Sequence, residues 1–360
     1  MKNPKGILLE KPHLPERPLQ ITFDITYRCN AHCIHCYADA SSKGTELDTE
    51  TTLEIIDKII EARPLVLTIS GGEALLRTDL ADILWHIYDS MGTAMPQTTM
   101  GTNGQIVPQR KELLETIRTI NEKVGVPAVN LYVSIHAADP ALHDHIMGVK
   151  GAFDKALRAV ELIQASKVPL SIGVTPMQIN FHQLDDILDL ALSRNITVLN
   201  LSQFVPTGKG LKQYDLSPQQ YGELLKWYLS KKKEYKGRII ITTHLHYLSL
   251  HEKHLLDYKY FYGCAEGWFH LAIKANGDIT LCPLMELTID TALSEDNILD
   301  IWHNNPVLKT VRERDRFPVC GSCFYRWKCG GCRCVAYAYT GSVTGEDVMC
   351  PIYSEKVEQK

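Results

Sequence analysis

Between residues 19 and 233, short β-branched apolar runs alternate with longer stretches in which apolar residues return every three or four positions. The first pattern fits strands and the second fits amphipathic helices. The strand runs are 19–26, 65–70, 97–102, 128–136, 169–175 and 197–202, and the helical stretches are 49–62, 79–91, 109–123, 152–166, 181–194 and 218–233. Within 152–166, Leu157, Val160, Leu162 and Ile163 recur at helix spacing and define an apolar face. Strands alternating with helices of this length predict parallel pairing through right-handed crossovers, and six such units curl into a partial (βα)6 TIM-like barrel of the α/β class. Ligand sites in such folds gather at the C-terminal ends of the strands, where the polar, glycine-rich words of this chain fall.

The pattern divides the chain into an extension at 1–18, a barrel at 19–240, a Lys- and His-rich linker at 241–263 and a small cysteine-rich C-terminal domain at 264–360. The extension is too short for a fused winged-helix module. The chain has 360 residues, 45% of them hydrophobic, which suits a globular protein with one large core and a smaller second unit. A net charge of −4 creates no field that draws nucleic acid or anionic lipid. No apolar run is long enough to span a membrane, and the N-terminus has no secretory pattern, so the expected location is the cytoplasm. In that reducing compartment eleven cysteines are better read as metal ligands than as disulfides.

Three of them, Cys29, Cys33 and Cys36, form CxxxCxxC directly after the first strand run. Three thiolates are one short of the four that close a [4Fe–4S] cluster, so one iron is left open. This spacing at this place resembles the radical S-adenosylmethionine (SAM) superfamily. The resemblance implies that SAM binds the open iron and that one electron cleaves it to methionine and a 5′-deoxyadenosyl radical, which abstracts hydrogen from the substrate. Ser70-Gly71-Gly72-Glu73 matches the family's GGE motif, whose glycines let backbone approach the SAM amine while the Glu73 carboxylate reinforces that contact. Asn103 ends the third strand run, Ser134 matches a position facing the SAM ribose or carboxylate, and Tyr37 matches the one bordering the adenine. His32 and His35 read as supporting or surface groups rather than ligands. No catalytic acid or base stands out.

The other eight cysteines are Cys264, Cys282, Cys320, Cys323, Cys329, Cys332, Cys334 and Cys350. Their order resembles the SPASM extension of radical SAM enzymes, which holds two auxiliary clusters; zinc ribbons are the competing reading of such CxxC pairs. The resemblance implies an outer cluster on Cys320, Cys323, Cys329 and Cys350. It implies an inner one, [4Fe–4S] or [2Fe–2S], on Cys264, Cys282 and Cys332, with Cys334 as its fourth ligand. Cys329 and Cys332 are two residues apart where the family pattern has three, and Cys334 compensates. The alternating ligation ties the unit together and makes its folding depend on iron.

The Gly330-Gly331-Cys332-Arg333-Cys334 string resembles the pyrroloquinoline quinone maturase, and its continuation through Gly341 resembles haem-pathway decarboxylases. Auxiliary clusters suit reactions in which a substrate radical must give up an electron. The implied function is oxidative modification of a ribosomally made peptide or protein side chain. The alternatives are decarboxylation or oxidation of a tetrapyrrole side chain and, from another class, a non-catalytic iron–sulfur scaffold or electron carrier. The implied partners are a peptide or small-molecule substrate, a separate peptide-recognition protein, and a flavodoxin or ferredoxin reductant. No nucleic acid or membrane is expected. The glycines of 204–210 suggest a substrate-facing loop, and the aromatic run 258–262 suggests a path from the barrel to the inner cluster.

Overall fold

In strand β1 (Gln20–Asp24) the pleat turns Ile21 and Phe23 outward into the main apolar core, 0% and 1% exposed, and turns Gln20, Thr22 and Asp24 inward. The same alternation runs through β2 (Val66–Ser70), β3 (Gln97–Thr102), β4 (Val129–Ser134), β5 (Leu170–Val174), β6 (Val198–Leu201) and β7 (Ile240–Thr243). The outer residues pack against α1 (Thr49–Ala62), α2 (Leu80–Met91), α3 (Lys111–Val124), α5 (Ala152–Ala165), α6 (Leu184–Ser193) and α7 (Pro218–Glu234), while α4 (Pro140–Met147) packs beside α5 with Ile146 against Met177 and Phe204 and Met147 in a small cluster with Cys29. The inner residues form a polar lumen. The structure, a computed structural model, describes residues 9–41, 46–257 and 261–352; of the aromatic run, 258–260 lie outside them.

Six strands and six helices occur where the sequence pattern puts them. Three differences matter for the site. First, residues 241–243, expected as the start of the linker, continue a seventh parallel strand, Ile240–Thr243, beside β6. Second, helix α4 carries no long apolar stripe; it is started by Asp139, whose side chain accepts from the Leu142 amide, with Pro140 in the first turn, and it is stopped by Gly148 at φ 63°. Third, the core face of α5 is Phe153, Ala156, Val160 and Ile163, with Leu157 and Leu162 only partly buried. The small side chains of Ala156 and Ala159 let this helix approach Gly104, where any Cβ would lie 3.0 Å from each.

After α8 (Leu248–His251) the chain re-enters the same sheet. Strand β8 (His270–Ile273) pairs in parallel with β1, and β9 (Asp278–Thr280) and β10 (Thr288–Thr291) follow antiparallel. The result is one open ten-stranded sheet in the order β10-β9-β8-β1-β2-β3-β4-β5-β6-β7. The cysteine-rich tail, with α9 (Ile298–Asn304), α10 (Pro306–Val311) and α11 (Arg333–Thr340), is anchored to the barrel rather than hung from it. Residues 9–18 also pack on the tail: Trp302 Nε1 donates to the Pro15 carbonyl at 3.0 Å, and Leu9 joins Tyr262, Trp268 and Trp327.

Where the tail lacks regular structure, buried arginines satisfy its backbone. Arg314, 1% exposed, donates to the carbonyls of Tyr262 (2.8 Å) and Cys264 (2.6 Å), and Arg333 donates to those of Val343 and Gly345 at 2.9 Å each.

Candidate functional site

The CxxxCxxC loop leaves the C-terminal end of β1 and is held by its backbone from three sides. The Cys29 amide donates to Ser41, those of His32 and Ile34 donate to Met147 and Ile146 at the end of α4, and the Cys36 carbonyl accepts from Lys209 at 2.9 Å. The last contact requires Gly208: its φ is 57°, and a Cβ there would lie 2.4 Å from the Cys36 carbonyl oxygen. Of the loop 204–210, only Phe204 and Val205 face the cavity, while Gly208 and Lys209 brace the cysteine motif. Burial pushes the Cys29 thiol up to about 11 and Cys33 up to about 12, with the neighbouring motif thiols adding to both.

The second strand end locks onto this loop. Gly72 donates to the Thr26 carbonyl at 2.7 Å and Glu73 to that of Arg28 at 2.8 Å, and a Cβ on Gly72 would stand 2.2 Å from the Arg28 oxygen. The pair Gly71-Gly72 is therefore demanded by the approach of the motif's own backbone. Glu73, 1% exposed, accepts from the amides of Asn103 (2.7 Å) and Leu75 (3.2 Å); burial outweighs these bonds and raises its carboxyl to about 7. Asn103 reaches back to Asn30 at 2.7 Å and lies 3.9 Å from the Cys29 sulfur. Tyr37 presents its ring to the cavity, but its hydroxyl donates to Asp24 at 3.0 Å and sits 3.1 Å from Ser70 Oγ.

Ser134 lines the cavity and bonds the hydroxyl of Tyr132, a residue without a sequence signal. Tyr132 lies flat across the lumen over Gly173, where a Cβ would fall 1.9 Å from its ring. His35 is also inside: its ring meets that of His136 edge-on at 4.3 Å, and burial lowers its pKa to about 4. The Thr175 amide donates to His136 Nδ1, so the ring's hydrogen sits on Nε2. His32 is exposed.

The tail thiols segregate into two sets. Cys334 hydrogen-bonds Cys282 and Cys332, and Cys332 lies close enough to Cys264 to oppose its ionisation, on top of the burial that raises it. Cys332 caps α11, its sulfur 3.5 Å from the Val335 amide. In the second set, burial together with Cys350 and Cys320 holds Cys329 well above the ordinary thiol range, and Cys323 adds to the rise at Cys320. Between the sets stands Asp347, 1% exposed, whose Oδ2 accepts from Cys332 N (2.7 Å), Tyr247 (2.8 Å) and His246 (3.0 Å).

A single cavity of about 540 Å³ joins these parts. Cys29, Cys33 and Cys36 line one end and Cys264, Cys282, Cys332 and Cys334 the other, with Glu73, Asn103, Ser134 and Tyr37 on the walls; the second tail set lies outside. All eleven cysteines are free thiols. Three sulfur sets, with thiols held protonated by burial until a metal displaces the proton, fit iron–sulfur clusters. Among the described residues no three His, Cys, Asp or Glu side chains converge on one ion. Among those residues, too, no helix is long and apolar enough to cross a membrane.

Residues 23–191 match the radical SAM superfamily and residues 264–325 match SPASM, an iron–sulfur cluster-binding domain. The chain is similar to the AdoMet-dependent heme synthase of Methanosarcina barkeri, at 27% identity covering 92% of this chain and 96% of that one. It is similar to the mycofactocin maturase MftC of Mycobacterium tuberculosis, at 28% identity covering 93% and 83%. In fold it is similar to Streptococcus suis SuiB bound to the precursor peptide SuiA, with a TM-score of 0.75, 19% identity, and 94% and 76% of the two chains covered.

Proposed function

We infer that this chain, a radical SAM enzyme with a SPASM domain, oxidatively modifies a side chain of a ribosomally made peptide or protein in the cytoplasm. The observation that carries this reading is the shared cavity: the CxxxCxxC thiols and the inner tail thiols face one space, so hydrogen abstraction and removal of the remaining electron need no movement of the substrate between sites. Relatives named as maturases support a peptide as the substrate.

Cys29, Cys33 and Cys36 would hold a [4Fe–4S] cluster through three thiolates, leaving one iron free for SAM to bind. When bound, that cluster and SAM supply a 5′-deoxyadenosyl radical. Glu73, pinned by two backbone amides, keeps a carboxylate oriented toward the SAM amine at no reorganisation cost. Gly71 and Gly72 let its loop close on the cysteine motif. Ser134 faces the ribose, and Tyr37, locked through its hydroxyl, borders the adenine. Asn103 holds the loop beside Cys29. Cys264, Cys282, Cys332 and Cys334 make a complete four-thiolate set, which suits an electron acceptor rather than a site that binds substrate. Cys320, Cys323, Cys329 and Cys350 carry a second auxiliary cluster toward the surface, where a flavodoxin or ferredoxin exchanges electrons.

Anaerobic reconstitution followed by dithionite, SAM and candidate peptides or porphyrins tests the reading through 5′-deoxyadenosine. A rise with a peptide supports it. No deoxyadenosine from protein with full cluster content returns the chain to the scaffold alternative. Tetrapyrrole chemistry is the competing enzymatic reading, carried by the similarity to a heme synthase over nearly its whole length.

A further inference from the structure

The cavity has a charge pattern that SAM cleavage alone does not explain. Among the described residues no lysine or arginine lines it, whereas Glu73 and Glu266 do. Of the histidines lining it, burial holds His136 well below the ordinary imidazole range, lowers His35 to about 4 and lowers His244. A four-cysteine [4Fe–4S] cluster on the inner thiols would itself carry net negative charge, because its sulfides and thiolates together outweigh the charge of its iron.

Beside the inner thiols the wall carries a linked trio. The Glu266 carboxylate straddles His270 Nδ1, at 3.2 Å from Oε1 and 3.0 Å from Oε2, and His270 Nε2 lies 2.9 Å from Thr22 Oγ1. All three residues line the cavity, and Thr22 and His270 are 4% and 6% exposed. The ring therefore bridges the carboxylate and the threonine hydroxyl through its two nitrogens. Only Oε1 of Glu266 has hydrogen-bond geometry; Oε2 is a buried acceptor without a hydrogen bond. Such an atom costs free energy until a donor arrives.

Space narrows the choice further. SAM is itself a ligand of drug size, and a cavity of about 540 Å³ that holds it keeps little room beyond one side chain.

We propose that the substrate group received here is a single uncharged or cationic side chain bearing an N–H or O–H donor, which bonds Glu266 Oε2, and that carboxylate groups are refused. A donor gains a charge-assisted bond, while a carboxylate is stripped of water beside the like charge of Glu266, with no lysine or arginine of the lining to pair with it. The proposal rests on the peptide reading and names which side chains that reaction takes. It excludes tetrapyrroles bearing several carboxylates.

The test uses the reconstituted enzyme with SAM, dithionite, and either perdeuterated propionamide or perdeuterated propionate, which have the same shape and differ in charge. Deuterium carried into 5′-deoxyadenosine reports which probe reaches the radical. The amide should label about tenfold more than the carboxylate, and Glu266→Gln should shrink that preference to about threefold or less. Equal or reversed labelling in the unaltered enzyme overturns the proposal, as does unlabelled 5′-deoxyadenosine with both probes. No 5′-deoxyadenosine under any condition would instead remove the radical reading on which the proposal stands. Independently of turnover, coproporphyrin III, a tetracarboxylate, should leave its absorption band unshifted when titrated onto the SAM-loaded enzyme; a saturable shift overturns the proposal.

Discussion

At the scale of single residues, this site depends on backbones that touch where a β-carbon would intrude. Gly72→Ala puts a methyl 2.2 Å from the Arg28 carbonyl oxygen, against backbone that cannot rotate away. The expected outcome is a cysteine motif pushed off its seat and at least a tenfold fall in SAM affinity, read from the change SAM causes in the electron paramagnetic resonance of the reduced cluster. Gly173→Ala meets the Tyr132 ring instead, so the ring must tilt into the cavity; overpacking of this kind costs about 1–3 kcal/mol. Asp215 gives a pH prediction. Its carboxylate accepts from Tyr221 at 2.8 Å and Tyr339 at 2.9 Å, yet burial raises its pKa to about 6. The folded protein therefore binds a proton that the unfolded chain releases near pH 4, and stability falls as pH rises from 4 to 6. The full effect is roughly 3 kcal/mol. Asp215→Asn should flatten the corresponding part of the melting temperature's decline between pH 4 and 6.

At the scale of elements, the tail is held by groups that are not elements at all. Arg314 supplies donors to the carbonyls of Tyr262 and Cys264, and its guanidinium, held down to about 10 by burial, is drawn back up by the thiols of Cys264, Cys329 and Cys320. Removing it strands buried carbonyls at about 1–3 kcal/mol apiece and takes away a positive charge beside both thiol sets. Arg314→Met should therefore lower bound iron toward about four atoms per chain, one cluster's content, while SAM cleavage by the N-terminal motif persists. Iron analysis and 5′-deoxyadenosine assay decide between that outcome and a purely local defect. Helix α4 matters in the same indirect way, because its last carbonyls, Ile146 and Met147, fix the amides of Ile34 and His32.

At the scale of the whole molecule, β8 makes the barrel and the tail one object by pairing with β1. A chain reconstituted fully should carry about twelve iron atoms as three clusters. Replacing Cys29, Cys33 and Cys36 together with alanine should abolish 5′-deoxyadenosine and leave about eight. Chains that bind zinc at the tail in place of iron would remove the two-cluster assignment. Asp347 joins His246 and Tyr247 of the barrel side to Cys332 of the tail, so Asp347→Ala should loosen the inner thiol set while leaving SAM binding by the N-terminal motif intact. Visible absorbance per cluster and SAM titration separate the two effects.

Local pattern determined the six βα units and the CxxxCxxC motif, because helix period, strand alternation and ligand spacing are short-range properties written in consecutive residues, while the glycine-glycine-glutamate partner and the division of the tail cysteines into two sets were implied by the family resemblance. The seventh strand was lost in a charged, histidine-rich stretch, since Ile240–Thr243 is only four residues long and is recognised by its neighbour β6 rather than by its own pattern. The Gly208 brace on Cys36, the Tyr132 floor, the Asp347 junction and the Glu266–His270–Thr22 trio join residues up to 248 positions apart. Only the closing of the sheet around a shared lumen brings them together, and no local propensity encodes that meeting.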